Sequence, residues 1–214
     1  MSQRQEVMAR IRELRLVAVV RSTAEQVEPV VRALLDGGVE AIEITFTVPR
    51  ATEMIAMVKE KLGDRVLLGA GTVTDTEKAA DAILAGARYI VAPNTDFGVI
   101  ALCNERDVAI APGAFTPTEV FAAWRAGADV VKLFPAGALG IPYLKALRAP
   151  MPDVPLMPTG GVDVGNAADW LRAGAVALGV GSSLVRKDAL ASGNYGLITE
   201  TAEKFMAAIA SVGG

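Results

Sequence analysis

A short apolar run followed by a helical stretch recurs eight times along this chain, and that rhythm limits the fold more than any single residue does. The runs cover 16–21, 41–46, 66–73, 89–93, 108–112, 129–136, 154–158 and 175–181. They are near-continuous in Val, Ile, Leu and Ala rather than alternating with polar residues, as strands buried on both faces are. Between them the spacing predicts helices over about 22–35, 49–63, 74–86, 96–106, 116–125, 141–148, 164–172 and 198–210, with another at 3–14 ahead of the first strand. Four helix-to-strand boundaries repeat one pattern: Leu35-Asp36-Gly37-Gly38-Val39, Leu84-Ala85-Gly86-Ala87-Arg88, Arg125-Ala126-Gly127-Ala128-Asp129 and Arg172-Ala173-Gly174-Ala175-Val176. Glycine supplies a left-handed cap at each. Ser22 with Glu25, Thr74 with Glu77 and Thr116 with Glu119 read as capping boxes, the last with Pro117 at the first helical position. Strands alternating with helices make a parallel sheet covered by helices, and eight units favour a closed (β/α)8 TIM barrel with an extra N-terminal helix. No Gly/Ser/Pro-rich linker interrupts the pattern, so 1–214 is expected to be a single catalytic domain.

Composition narrows the function classes. Hydrophobic residues make up 52% of the chain and the mean hydropathy is +0.38. No apolar run approaches the ~20 residues of a membrane span, and 16–20 is too short for a signal-peptide core. A cytoplasmic protein with no membrane role is expected, with its excess apolar surface in a large core and an oligomer interface. A net charge of −3 leaves no basic stripe for nucleic acid. The single Cys103 excludes an internal disulfide and a cysteine-rich metal site. The 214 residues include no histidine. That removes histidine metal sites, Ser-His-Asp triads and Cys-His pairs, and leaves acid–base work to carboxylate, lysine, tyrosine or water. Magnesium held by carboxylates stays open on these grounds.

Two charges break the apolar runs. Lys132 sits within Val130-Val131-Lys132-Leu133-Phe134 and shares a strand face with Val130 and Phe134. Burial there disfavours the ammonium and frees a lone pair for attack on a carbonyl. Glu43 sits likewise within Ala41-Ile42-Glu43-Ile44-Thr45-Phe46. A buried ion pair is a poor stabiliser, because desolvation offsets the attraction. The pair therefore reads as catalytic, with Lys132 the nucleophile and Glu43 the proton shuttle. Arg21, Glu43, Thr72, Pro93, Lys132, Thr159 and Ser182 all fall at strand ends or late in their strands, where this fold places its active site. Arg50, after Pro49, and Arg21 suit recognition of a carboxylate. Pro158-Thr159-Gly160-Gly161-Val162 and Gly179-Val180-Gly181-Ser182-Ser183 close the last two strands, the usual phosphate site of such barrels. Ser182 either donates its hydroxyl to the anion or caps the next helix.

Taken in order, Glu43-Ile44-Thr45, Gly69-Ala70-Gly71-Thr72-Val73, Lys132-Leu133-Phe134-Pro135-Ala136, Pro158-Thr159-Gly160-Gly161 and Gly181-Ser182 resemble the motifs of the 2-keto-3-deoxy-6-phosphogluconate (KDPG) and 4-hydroxy-2-oxoglutarate (KHG) aldolases. The resemblance runs nearly the full length. It implies a class I aldolase that uses no metal and no cofactor, acts on a small keto acid to release pyruvate and an aldehyde, and is a homotrimer. By the family's pattern Lys132 forms the Schiff base and Glu43 moves protons through water. Arg50 and Thr72 hold the pyruvate carboxylate, while Pro93 and Phe134 shape the pocket. Thr159 meets substrate hydroxyls, and Gly160, Gly161, Gly181 and Ser182 take the phosphate. Asn94 matches the phosphogalactonate aldolases, whereas Thr159 and Ile44-Thr45-Phe46-Thr47-Val48-Pro49 match the gluconate and oxoglutarate branch. The galactonate epimer is therefore the alternative substrate, and a phosphate-binding barrel isomerase or synthase the alternative activity.

Overall fold

Every apolar run contributes a strand, and neighbouring strands pair in parallel. The computed structural model describes residues 1–213. Its strands are β1 (Leu16–Val20), β2 (Ala41–Thr45), β3 (Leu67–Gly71), β4 (Tyr89–Val91), β5 (Ala109–Ala111), β6 (Gly113–Ala114), β7 (Val131–Leu133), β8 (Leu156–Pro158) and β9 (Leu178–Val180). They form a curled six-stranded sheet, β5-β4-β3-β2-β1-β9, and a three-stranded one, β6-β7-β8. The sequence pattern predicts eight strands in one closed ring; the structure has nine in two sheets. Pro112 is the reason on one side. It has no N–H to give a ladder, and the regular pairing is interrupted there, β5 pairing with β4 and β6 with β7, although the Asp129 N–H still reaches the Ile110 carbonyl and the Gly113 N–H the Asn94 carbonyl. On the other side a single bridge between Thr159 and Gly179 links β8 to β9.

The helices are α1 (Gln3–Leu14), α2 (Ala24–Asp36), α3 (Ala51–Leu62), α4 (Thr76–Leu84), α5 (Phe97–Glu105), α6 (Pro117–Arg125), α7 (Gly140–Arg148), α8 (Ala167–Arg172), α9 (Lys187–Ser192) and α10 (Gly196–Ala210). The repeated glycine caps form as expected, with φ of 84°, 107°, 98° and 101° at Gly38, Gly86, Gly127 and Gly174. After Gly86, for example, the N–H groups of 86 and 87 donate to the carbonyls of Ile83 and Ala82, satisfying the helix end. The capping box of α6 is present as predicted. Two others shift by one residue. The box of α2 joins Thr23 to Gln26, not Ser22 to Glu25, and α4 is capped by Asp75, whose carboxylate accepts from the Lys78 N–H. Helix α3 starts at Ala51 with Arg50 as its cap, two residues later than Pro49 implies. Helix α9 has no counterpart in the sequence pattern; it is a short charged turn that buries only Ala189.

The core has two parts, one on each strand face. The larger lies between the sheets and the surrounding helices, where Ala18, Ile42, Ile44, Leu68, Ile90, Ile110 and Val131 point outward. The smaller lies on the inner face and gathers Val17, Ala41, Leu67, Tyr89, Ala109, Val130, Met157 and Ala177 from the early part of the strands or the residue before them. Helix α1 covers this end by burying Val7, Met8 and Ile11 against them, worth roughly 1.5–3 kcal/mol for each side chain. It is held by a half-buried carboxylate. Asp129 accepts from Arg4 Nε at 2.5 Å and from the Ile110 N–H at 2.9 Å, while Arg4 Nη2 donates to the Gly127 carbonyl at 2.6 Å. Among the described residues no helix is long and apolar enough to cross a membrane.

Candidate active site

With α1 closing one end of the inner face, the carboxyl ends of the strands are the open end. Glu43 is the middle residue of β2 and Lys132 the middle residue of β7. Both are buried, at 1% and 3% exposure. Lys132 Nζ lies 5.1 Å from the centroid of the Phe134 ring, which shares its strand face. Burial pushes the Lys132 amine down; the Glu43 carboxylate partly restores it, and Arg21 lowers it further. The Glu43 carboxyl is raised by the same burial and pulled back by the charges of Lys132 and Arg21. The result is an amine with more free base than a surface lysine and a carboxyl that holds its proton more tightly, the two states that nucleophilic attack and proton transfer need. Glu43 Oε1 has no hydrogen-bond partner among the described residues.

Seven of the sequence-predicted residues line one cleft of about 90 Å³: Arg21, Phe134, Thr159, Gly160, Gly161, Gly181 and Ser182. Gly160 and Gly161 are both left-handed, with φ of 84° and 78°. The second packs so closely on Gly137 that a Cβ would stand 2.5 Å from the Gly137 Cα. Gly137 N–H donates to the Gly160 carbonyl at 2.8 Å, so the loops after β7 and β8 lie backbone on backbone. Ser183, which the sequence reading passed over, ties in the loop after β9 by donating its hydroxyl to the Val162 carbonyl at 2.6 Å. Ser182 caps no helix, because the cap of α9 is Arg186. Thr159 is buried, and its hydroxyl fills the space above Gly179, where a Cβ would come within 2.2 Å of Oγ1.

Pro93 and Phe134 line a second, wider cleft of about 400 Å³ with Asn94, Thr95, Gly113 and Phe115. Thr72 follows β3 with φ of 58°, an uncommon conformation for a β-branched residue and one held only where the surroundings impose it. Arg50 is not brought to the buried pair. It is exposed at the rim, lies 3.6 Å from Glu25 and 3.5 Å from Glu53, and lines neither cleft. Tyr89 is the feature the sequence did not single out: its hydroxyl is buried without a partner among the described residues. The available signal was a tyrosine opening an otherwise apolar run.

A family model described as KDPG and KHG aldolase matches residues 7–201. The chain belongs to this aldolase family. It is 36% identical over 200 residues to a 2-dehydro-3-deoxy-phosphogluconate aldolase of Treponema pallidum, covering 93% of this chain and 94% of that one. Over 176 residues it is 37% identical to the 2-dehydro-3-deoxy-6-phosphogalactonate aldolase of Escherichia coli, covering 81% and 86%. Among solved structures, the KDPG aldolase of Legionella pneumophila, with pyruvate captured at low pH as a covalent carbinolamine intermediate, matches with a TM-score of 0.84 and 30% identity over 92% of this chain and 95% of that one. Family membership makes this chain a carbon–carbon lyase.

Proposed function

We propose that this aldolase works through a Schiff base on Lys132 and cleaves 2-keto-3-deoxy-6-phosphogluconate to pyruvate and glyceraldehyde 3-phosphate, with 4-hydroxy-2-oxoglutarate, giving pyruvate and glyoxylate, as a second substrate. The observation that carries this reading is the buried amine of Lys132 sharing its interior with the Glu43 carboxyl. Lys132 Nζ adds to the C2 ketone, and loss of water leaves a protonated imine. Glu43, through water, takes the proton of the C4 hydroxyl. The C3–C4 bond breaks, its electron pair moves toward the imine nitrogen, and the aldehyde departs. The enamine that remains is protonated at C3, and hydrolysis returns pyruvate and the free amine.

Phe134 and Pro93 close the pocket around the reacting carbons, and Thr159 meets a substrate hydroxyl. Gly160, Gly161, Gly181 and Ser182 hold the phosphate, with Arg21 adding positive charge at the same cleft. Thr72 and Arg50 take the pyruvate carboxylate. Arg50 reaches it by leaving Glu25 and Glu53, exposed pairs that cost little to break. The reading takes 1–214 as one catalytic unit, a ring of eight strands in which β5 and β6 count as one. It works in the cytoplasm as a homotrimer. The galactonate epimer is the second reading for the substrate, favoured by Asn94 beside Pro93 in the wider cleft and by the similarity to the Escherichia coli enzyme.

Borohydride trapping with pyruvate tests the mechanism. The expected product is a reduced pyruvate adduct on the peptide containing Lys132, absent in Lys132→Ala. No adduct on the intact enzyme, with phosphate-ester binding retained, would move the chain to the isomerase or synthase class. Pyruvate release from the gluconate, galactonate and oxoglutarate substrates, measured side by side, ranks the substrates.

A further inference from the structure

Glu43, Gly69 and Tyr89 form one register row across β2, β3 and β4. Gly69 carries no side chain, and the Tyr89 ring occupies the space above it. A Cβ at Gly69 would stand 2.3 Å from both Cε2 and Cζ of Tyr89. Cζ bears the hydroxyl, so the ring leans across the bare strand toward β2 and carries its polar end to the Glu43 side. Glu43 in turn leans over Gly71, where a Cβ would be 2.2 Å from Oε1. Both Tyr89 Oη and Glu43 Oε1 are buried, and neither has a hydrogen-bond partner among the described residues.

Two orphaned polar atoms in one apolar interior are costly unless some state of the enzyme pairs them. The other groups around the Tyr89 ring are apolar: Met8 and Ile11 of α1, Val17 of β1, Ala109 of β5, Val130 before β7 and Met157 of β8. The charged groups that act on Glu43 are Lys132 from β7 and Arg21 after β1. Glu43 is the polar group in register with Tyr89, and Tyr89 supplies an O–H donor on the side of Glu43 away from the open end.

We propose that Tyr89 is a positioning residue for Glu43, its phenol donating a hydrogen bond to carboxylate Oε1 whenever Glu43 has given up its proton during turnover. The inference rests on the aldolase reading above. The last torsion of the glutamate is broad and soft, so the carboxylate is free to turn toward the phenol. Burial and the Glu43 charge hold the phenol well above its ordinary range, so it remains a donor throughout the working pH range. A donor to the ionised form eases deprotonation of a carboxyl whose pKa burial raises. Proton shuttling needs both states within reach.

Tyr89→Phe removes the hydroxyl and little else. The expected result is a roughly tenfold lower kcat, an unchanged KM, and an acid limb of the kcat–pH profile moved up by about one unit. Pyruvate trapping by borohydride on Lys132 should match the wild type, and Tyr89→Phe should have no further effect in a Glu43→Gln background. An unchanged kcat and pH profile with trapping intact overturns the assignment. So does lost trapping, or an equal fold-loss in the Gln background, since each marks a structural role. Failure of the wild type itself to trap pyruvate removes the aldolase reading and this assignment together.

Discussion

Glu43 and Gly71 share one space on the inner face of the sheet: a Cβ at position 71 would stand 2.2 Å from Glu43 Oε1 and 2.7 Å from its Cδ. The carboxyl group occupies the volume that a neighbouring side chain would fill, so its position depends on the glycine. Gly71→Ala is expected to displace the carboxyl by an ångström or so and to lower kcat by about 10²-fold. Pyruvate trapping on Lys132 should persist, because the amine is on β7, which does not pair with β3. A Gly71→Ala enzyme with normal kcat would show that Glu43 is not the proton carrier.

The free-base fraction of Lys132 sets the pH dependence of imine formation. Burial and Arg21 lower the amine, with Glu43 opposing them. The neutral form, which attacks the ketone, grows as pH rises through that lowered pKa, so the rate of pyruvate trapping should level off below 10.5, the ordinary lysine value. Arg21→Gln removes one of the lowering charges and should move the curve to higher pH. A trapping curve still rising at the ordinary lysine value would place the amine in water.

The buried pair should cost the fold stability. Lys132 has a folded pKa below its unfolded one, so the unfolded state binds the extra proton and stability rises as pH climbs from the folded pKa toward 10.5. Glu43 has a folded pKa above its unfolded one, so stability falls as pH rises from 4.5 through the folded value. At neutral pH both effects act against folding. Replacing the pair with Lys132→Met and Glu43→Gln should therefore raise stability by about 1–4 kcal/mol. Each kcal/mol corresponds to roughly 2–4 °C in Tm for a chain of this size, which calorimetry resolves. A double variant that melts lower than the wild type would identify the pair as a structural ion pair.

Gly161 separates phosphate recognition from chemistry. Its φ of 78° disfavours any side chain, and a Cβ would lie 2.5 Å from the Gly137 Cα. Gly161→Ala must push the loops after β7 and β8 apart. The KM for the phosphorylated substrate should rise at least about tenfold, the scale of losing one charge-assisted hydrogen bond. Cleavage of 4-hydroxy-2-oxoglutarate, which carries no phosphate, should be nearly unaffected. Equal losses on both substrates would mean that this loop does not hold the phosphate.

Local signals were read reliably where the physics is local. A glycine that ends a helix in a left-handed turn acts within a few residues, and the four repeated boundaries each carry one. Cap positions are harder when two candidates sit side by side. Ser22 and Thr23 both qualify, and in the folded chain Thr23 caps α2, with Ala24 and Val27 of the first turns buried in the core. The Lys132 and Glu43 positions were legible because a charge inside an apolar strand is expensive and conspicuous. Arg50 was not, since nothing local says whether an arginine at a helix start turns inward or pairs at the rim. Tyr89 was missed because a tyrosine in a strand is ordinary until its hydroxyl proves to have no partner.

The alternation of strands with helices, the glycine-capped helix ends and the two charges within apolar runs were determined by the sequence alone, because propensity, capping and hydrophobic periodicity act over a turn or a strand. Only the tertiary structure decided that Glu43 and Lys132 face one interior, that Gly71 and Gly69 leave room for an acid and a phenol, and that regular strand pairing is interrupted at Pro112 and between β8 and β9. Those outcomes depend on the curl of the sheet and on which atoms meet across it. Such contacts join residues far apart in the chain, and no local pattern encodes them.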